Sequence, residues 1–522
     1  MIYKYGIDFG TTNSSIAIRF VGDDKQEHTL VVDVKDTLPR ETIPSVVLVD
    51  NRGNILAGED AMNQYMQDGL HKNGRKLIKQ IKLDLENKGS QLEYDIDGNK
   101  ISGIDLISSI LEILRMKAEK VTDELEIEIS GVVMGVPVQY GDIQKNVLKH
   151  ALVKAGFYTS IKEADSKTEF VSEPIAVAVH YGLNLNHDTT VLVFDFGGGT
   201  LDLAIVNLKN QISNDVLHPH ETISKERITL GGEELTRLFF VNSFCHPKKY
   251  GTKRIAVEFG FKPSLSSVEL WGKLLETEDG IRFISAIEKC KCDLSKANKY
   301  KFSFIGKNIQ LEEQTFYRDD FANAIEDKID EIDELIEKCL ENGNIQDPYD
   351  IDHVILAGGS SMIPAVQNLL VDKFGSNRVS SKLTDSDTVI KSLKNKATES
   401  EVLTSIVRGL AMVGCKDESL IDDVVDSDYG VWDSVENEFI PIVKKGIPVR
   451  STVIDRITQQ GISEDVECLD KNVSSVEIKV YQKNITGEHR LGSINIPNPG
   501  GKKYRVFMQI DKKKGSLEVV IF

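Results

Sequence analysis

Gly6-Ile7-Asp8-Phe9-Gly10-Thr11-Thr12-Asn13 and, much further along, Val193-Phe194-Asp195-Phe196-Gly197-Gly198-Gly199-Thr200 share one pattern. In each an apolar run (Tyr3–Ile7; Thr190–Phe194) ends at an aspartate, a Gly/Thr turn follows, and a second β-like run begins (Ser15–Phe20; Leu201–Val206). Each copy therefore reads as a hairpin. A dinucleotide-binding fold needs its glycine turn to open a helix, and these turns open strands. A protein kinase shares Asp-Phe-Gly but also needs His-Arg-Asp and a Val-Ala-Ile-Lys lysine, and the sequence has neither. The copies lie too far apart for a solenoid period, so they imply a duplicated domain.

Glycines let the main chain approach a polyphosphate, consecutive N–H groups form an anion nest, and threonine hydroxyls add uncharged donors. A carboxylate beside phosphate repels it unless a cation intervenes. Asp8 and Asp195 therefore imply Mg²⁺, held partly through water. Just before the second hairpin, Phe170-Val171-Ser172-Glu173-Pro174-Ile175-Ala176 ends a strand and opens a helix at Ile175–Tyr181. Glu173 reads either as a carboxylate over the cleft that orients an attacking water, or as an acidic residue favoured by the helix dipole. A third turn, Gly358-Gly359-Ser360-Ser361, joins the buried strand Asp352–Ala357 to a helix with Pro364 in its first turn. That arrangement brings N–H groups and a positive helix end to a ligand.

Amphipathic helices are expected over Ile104–Val121, Gln144–Ala155, Phe283–Ala297 and Phe321–Leu340. Strand and helix alternate to about residue 415, the pattern of an α/β fold. After the acidic segment Ser419–Asp426 the texture changes to strands: Glu438–Val443, Thr452–Ile457, Val476–Tyr481, Leu491–Ile496, Tyr504–Ile510 and Leu517–Ile521, punctuated by Gly and Pro. This reads as a separate all-β domain.

The 522 residues carry 63 basic and 81 acidic side chains, a net charge of −18, and 40% are hydrophobic. The apolar fraction excludes wholesale disorder. The charge argues against nucleic acid as a main partner, and no run approaches the ~20 apolar residues of a membrane span. The start, Met1-Ile2-Tyr3-Lys4, has no signal-peptide architecture. The six cysteines show no zinc spacing, and loop histidines such as His218 and His220 lack further ligands. Reduced thiols and a cytoplasmic location are the expectation.

At these residues the chain resembles the DnaK-type, seventy-kilodalton heat-shock chaperone family of the actin-like ATPase superfamily. The hairpins look like its phosphate motifs, Gly135-Val136-Pro137 with Tyr140–Lys145 like its first connecting segment, and Leu230-Gly231-Gly232-Glu233-Glu234 like its Leu-Gly-Gly-Glu-Asp. Ile355–Pro364 is similar to its adenosine motif, and Val476–Gln482 to a strand of its peptide-binding domain. The resemblance implies a duplicated, two-lobed ATPase domain of actin-like (ribonuclease H-like) fold over residues 1–418. A linker at 419–427 and a β-sandwich peptide-binding domain at 428–522 would follow, with no helical lid. Its function would be ATP-dependent gripping of unfolded, extended polypeptides, with ATP/ADP, Mg²⁺ and K⁺ as cofactors and a J-domain cochaperone and nucleotide exchange factor as partners.

Residue by residue, the resemblance implies that Gly10, Thr11, Thr12, Asn13, Gly197, Gly198, Gly199 and Thr200 bind phosphates, and that Asp8 and Asp195 serve Mg²⁺. Asp202 would help hold a monovalent cation, Glu173 would position water, and Thr200 would assist at the γ-phosphate. Gly231, Gly232, Glu288, Lys291, Ser295, Gly358, Gly359 and Ser360 fall at nucleoside-contacting motifs, and Pro137 with Lys145 at a switch proline and its relay cation. Val431, Val476 and Ile478 are the peptide-pocket candidates. Met362 stands where the family has an adenine-stacking arginine, so the cation–π attraction is lost. Lys82 and Arg75 both lie in frames for the catalytic cation, and Lys82 is favoured. The linker is less leucine-rich than usual. Two other classes compete with the chaperone: a regulator or scaffold with little hydrolysis, and an actin-like small-molecule kinase.

Overall fold

The computed structural model describes residues 3–22, 25–34, 41–68, 75–138, 140–182, 188–209, 220–307, 309–379, 399–414, 421–425, 427–433, 438–454, 460–467, 475–484, 487–497, 503–510 and 517–521. Two sheets of matching topology form its larger part. In the first, the strands lie side by side in the order Glu27–Val31, Asn13–Val21, Tyr3–Phe9, Ile129–Val136, Thr168–Ser172. The first three are antiparallel, and Tyr3–Phe9 then pairs in parallel with Ile129–Val136, as that strand does with Thr168–Ser172. The second sheet repeats the order and the directions with His220–Ile228, Leu201–Leu208, Thr189–Phe196 and His353–Ala357. Val379 bridges Val354 in parallel where the fifth strand would stand. Unbroken apolar runs such as Val191–Phe194 suit these central strands, which are covered on both faces.

Two helices, Glu173–Gly182 and Glu399–Val413, cross between the sheets, and Ile175, Val177, Val179, Leu410 and Val413 join Val133 and Val193 in one buried cluster. At the crossing a Cβ on Gly409 would lie 1.8 Å from the Ala176 carbonyl oxygen, so the two backbones touch with no side chain between them. The expected helices at Ile104–Val121, Gln144–Ala155 and Phe283–Ala297 lie within Gly103–Glu124, Asp142–Lys154 and Glu278–Lys296, give or take a residue at the ends. The long helix expected over Phe321–Leu340 is instead two, Arg318–Ala324 and Glu326–Asn342. They part at Ile325, whose φ of −120° and ψ of 11° leave the helical region.

The C-terminal part is a β-sandwich. One sheet orders Glu438–Val443, Asp428–Asp433, Ser475–Asn484 and Gly487–Pro497; the other orders Ser463–Glu467, Lys503–Ile510 and Leu517–Ile521. Thr452 closes a 3₁₀ turn from Val449 instead of opening a strand, and residues 455–457 of that expected strand lie outside the described residues. Val431 and Ile478, read from sequence as peptide-pocket residues, are 2% and 4% exposed and pack with Val480, Val506 and Met508. They fill the sandwich's own core, because alternation along a strand marks one face as buried without saying what covers it. The Val476 side chain lies outside the described residues.

Ile421–Asp422 adds a short parallel strand to the second sheet, paired with His220 and Glu221. Lys225 Nζ lies 3.1 Å from the Asp423 carboxylate, and Lys445 Nζ donates to Glu226 at 2.9 Å. The sandwich meets the first sheet's unit where the Leu517 N–H donates to Asp142 at 3.2 Å and the Gln482 side chain takes the place a Cβ on Gly141 would need. Among the described residues no helix is long and apolar enough to cross a membrane.

Gly409→Val must force the crossing helices apart, since a carbonyl oxygen cannot rotate away. A loss of about 3 kcal/mol is expected, measured as a lowered denaturation midpoint, with Gly409→Ala losing less.

Candidate active site

The matched registers bring Asp8 and Asp195 to equivalent places. Asp8 pairs with Ser15 on one side and Gly135 on the other; Asp195 pairs with Asp202 and Ala357. Each aspartate stands one residue before its strand ends, so its carboxylate is held by a rigid ladder beside the following turn. The two turns meet. A Cβ on Gly198 would lie 1.9 Å from Thr12 Oγ1, so only glycine lets the loops approach this closely. Gly232 N donates to Gly197 O at 3.0 Å, Glu233 N to Gly198 O at 2.9 Å, and Ser360 Oγ to Gly197 O at 2.8 Å. Gly10–Asn13, Gly197–Thr200, Gly231-Gly232 and Gly358–Ser360 thus converge as one main-chain-lined cradle.

Asp8 and Asp195 are 7% and 5% exposed, and Asp8 Oδ1 has no hydrogen-bond partner. Burial, reinforced by Glu173, pushes the Asp8 carboxyl up to about 7. Burial, with Glu173, Asp202 and Asp8 around it, pushes Asp195 well above the ordinary carboxylate range. Two desolvated carboxylates, one of them orphaned, fit a site for Mg²⁺, which would offset their desolvation and take water for its remaining ligands.

Lys82, and not Arg75, reaches this cluster: its ammonium donates to the buried Glu173 carboxylate. Arg75 acts electrostatically on Asp50 elsewhere. Burial pulls the Lys82 ammonium down, but Glu173 and Asp8 outweigh it and hold it above its usual value. Burial lifts Glu173 above the ordinary carboxyl value, with Lys82 opposing. Glu173 begins its helix, as the dipole reading expects, and its buried carboxylate pairs with Lys82 beside Asp8 and Asp195.

Nearby, Lys291 Nζ donates to Gly232 O at 2.7 Å and Thr236 Oγ1 at 2.9 Å, and lies 2.8 Å from Glu288 Oε2. Ser295 is not drawn into this group; its hydroxyl turns back to Lys291 O at 3.4 Å. Met362 ends the turn Gly359–Met362 and is 37% exposed. Pro137 is buried and Lys145 lies on the helix that follows it.

Four residues complete the cluster: Thr236, Glu86 and Arg227, not singled out from the sequence, and Tyr140, noted there only within the connecting segment. Thr236 donates to Glu288 and accepts from Lys291. Tyr140 OH donates to Lys82 O at 2.7 Å. Glu86, on the helix Ile81–Lys88 that carries Lys82, accepts from Arg227 at 2.6 Å, and Arg227 Nε lies 3.4 Å from Asp202 Oδ1. The available signal was the charged run Lys225-Glu226-Arg227 inside an otherwise apolar-bounded strand next to Leu230-Gly231-Gly232.

The family model for Hsp70 protein matches residues 4–236 and 276–519. The chain belongs to the Hsp70 family. It is similar to Chaperone protein DnaK of Thermosipho melanesiensis, 27% identical over 503 residues that cover 95% of this chain and 72% of that protein. Chaperone protein DnaK of Thermotoga neapolitana is 28% identical over 504 residues, covering 95% of this chain and 72% of the relative. The matched segments of the family model contain both hairpins and reach into the sandwich.

The raised aspartates fix the sign of a pH effect. A carboxyl whose folded pKa is raised contributes stability that is complete below its unfolded value, about 4, and lost as pH rises through the folded value, about 7 for Asp8. Without metal, the melting temperature of the native protein should therefore fall relative to Asp8→Asn between pH 5 and 8, and Mg²⁺ should reduce that difference. Parallel melting curves for the two proteins across this range are the check.

Proposed function

We propose that this Hsp70-family chain binds Mg-ATP between its two matched sheets, hydrolyses it, and uses the cycle to grip and release extended apolar segments of unfolded polypeptides. The observation that carries the reading is the meeting of two glycine turns beside Asp8, Asp195 and the Lys82–Glu173 pair. The main-chain donors of Gly10–Asn13 and Gly197–Thr200 hold the phosphates of the substrate. Bound Mg²⁺ supplies positive charge to the phosphate oxygens and to Asp8 and Asp195. Lys82 stays an ammonium and keeps Glu173 ionised and oriented. Glu173 then fixes the attacking water and accepts its proton as the new bond to the γ-phosphorus forms and the bond from that phosphorus to the bridging oxygen breaks, ADP leaving with that oxygen. Thr200 offers its hydroxyl at the terminal phosphate. Glu288, Lys291 and Thr236 form a polar group suited to ribose hydroxyls and the base edge. Met362 covers a ring face by dispersion alone, so discrimination among purine bases should be weak.

The path from cleft to peptide domain is supported by the strand His220–Ile228, which pairs with Ile421–Asp422, and by the Asp142–Leu517 contact. The peptide face itself is assigned to main-chain donors and acceptors of the sandwich. Val431 and Ile478 support that face from beneath.

Millimolar Mg-ATP should raise the melting temperature, with a ligand at a hundred times its dissociation constant adding ~2.7 kcal/mol. Glu173→Ala should slow turnover by about a hundredfold or more while leaving ATP affinity within a few-fold, because a water-positioning group acts mainly in the transition state. Loss of ATP binding in that variant would return Glu173 to a purely structural role. Aliphatic-rich peptides should stimulate turnover, read as phosphate release with and without peptide; no response across a varied panel would overturn the coupled-chaperone reading.

A further inference from the structure

The cleft holds a second buried cation that the phosphate chemistry does not call for. Arg227 lies directly opposite Asp202 in the strand register and is 3% exposed. Its guanidinium reaches both ways: one NH2 donates to Glu86 Oε2 at 2.6 Å, and Nε lies 3.4 Å from Asp202 Oδ1. The same Asp202 oxygen accepts the Val138 N–H at 3.3 Å. Arg227 Nε and NH1 have no hydrogen-bond partner, so the charge is not spent on neutral acceptors. Its remaining electrostatic neighbours are Tyr140 and Glu173.

These residues do not fit a monovalent metal ion at Asp202. The Asp202 carboxylate already faces the Arg227 guanidinium at 3.4 Å, and an ion placed there would meet like charge. A guanidinium can do what such an ion does: it compensates a buried carboxylate, stays charged at any working pH, and bridges two acids with fixed geometry. Here the two acids sit on different sheets' units. Asp202 is on the second hairpin, and Glu86 is on the helix whose first turn carries Lys82.

We infer that Arg227 is the built-in monovalent cation of this cleft, holding Asp202 and, through Glu86, positioning Lys82, so that ATP hydrolysis by this chain requires no K⁺. The inference rests on the ATPase reading above. Arg227 acts through Glu86 and Lys82 and is a positioning residue.

The test replaces K⁺ by Na⁺ or tetramethylammonium at fixed ionic strength and Mg²⁺, using the full chain. Two quantities are read: the thermal shift produced by ATP, which needs no turnover, and the rate of phosphate release. Both should agree within about twofold across the three cations. A tenfold or greater fall in either when K⁺ is withdrawn overturns the inference and leaves the ATPase reading intact. No ATP-induced shift in any of the salts sinks the ATPase reading, and this inference with it. In Arg227→Ala the vacated space lies between Asp202 and Glu86. Turnover should fall at least tenfold in tetramethylammonium and recover with rising K⁺, a rescue that loss of a merely structural contact would not give. A fall that K⁺ does not restore in a variant that still melts cooperatively counts against the inference. Should Arg227→Ala not fold, the cation comparison on the native chain decides alone.

Discussion

Asp8 and Asp195 are both taken out of water, and much of the surrounding structure can be traced to the need to keep them there. A buried carboxylate is tolerable only beside a cation or as a neutral acid. Lys82 and Arg227 are drawn into the cleft from a helix and a strand, and each is paired with a further acid, Glu173 and Glu86. The result is a cluster poised to receive more positive charge. A site like this binds a metal–polyphosphate because its own side chains leave it electrostatically incomplete.

The first link of this chain of causes was legible in sequence and the later ones were not. The hairpins could be read because strand, aspartate and glycine turn are contiguous, and contiguous patterns carry their own geometry. Glu173 was visible because Glu-Pro opens a helix. Arg227 and Glu86 were not: the charged run Lys225-Glu226-Arg227 was a local signal that pointed to no partner, and it is the register setting Arg227 opposite Asp202, with the Arg227–Glu86 hydrogen bond, that brings them in. Val431 and Ile478 were misread for a related reason. Period-two alternation identifies a buried face, while the second sheet, with Val506 and Met508, determines that the face is core. At Ile325 the apolar spacing continued across a helix break, because two successive helices can present the same stripe to one core.

The strand His220–Ile228 joins parts that sequence separates widely. Its consecutive residues Lys225, Glu226 and Arg227 engage the segment after the second sheet, the sandwich and the phosphate cleft respectively. Side chains alternate faces along a strand, so neighbouring residues address different surroundings while sharing one rigid backbone. A change of charge at the cleft and a change of contact at the sandwich are therefore borne by the same few ångströms of main chain.

The backbone contact at Gly409 and Ala176 has a mechanical consequence. With no side chain to compress, the distance between the two helices cannot shorten there, and a buried carbonyl against a helix is a hard stop. The two helices can swivel or part at that spot but cannot draw closer. A swivel about such a spot turns a small angular change into a displacement that grows with distance from it.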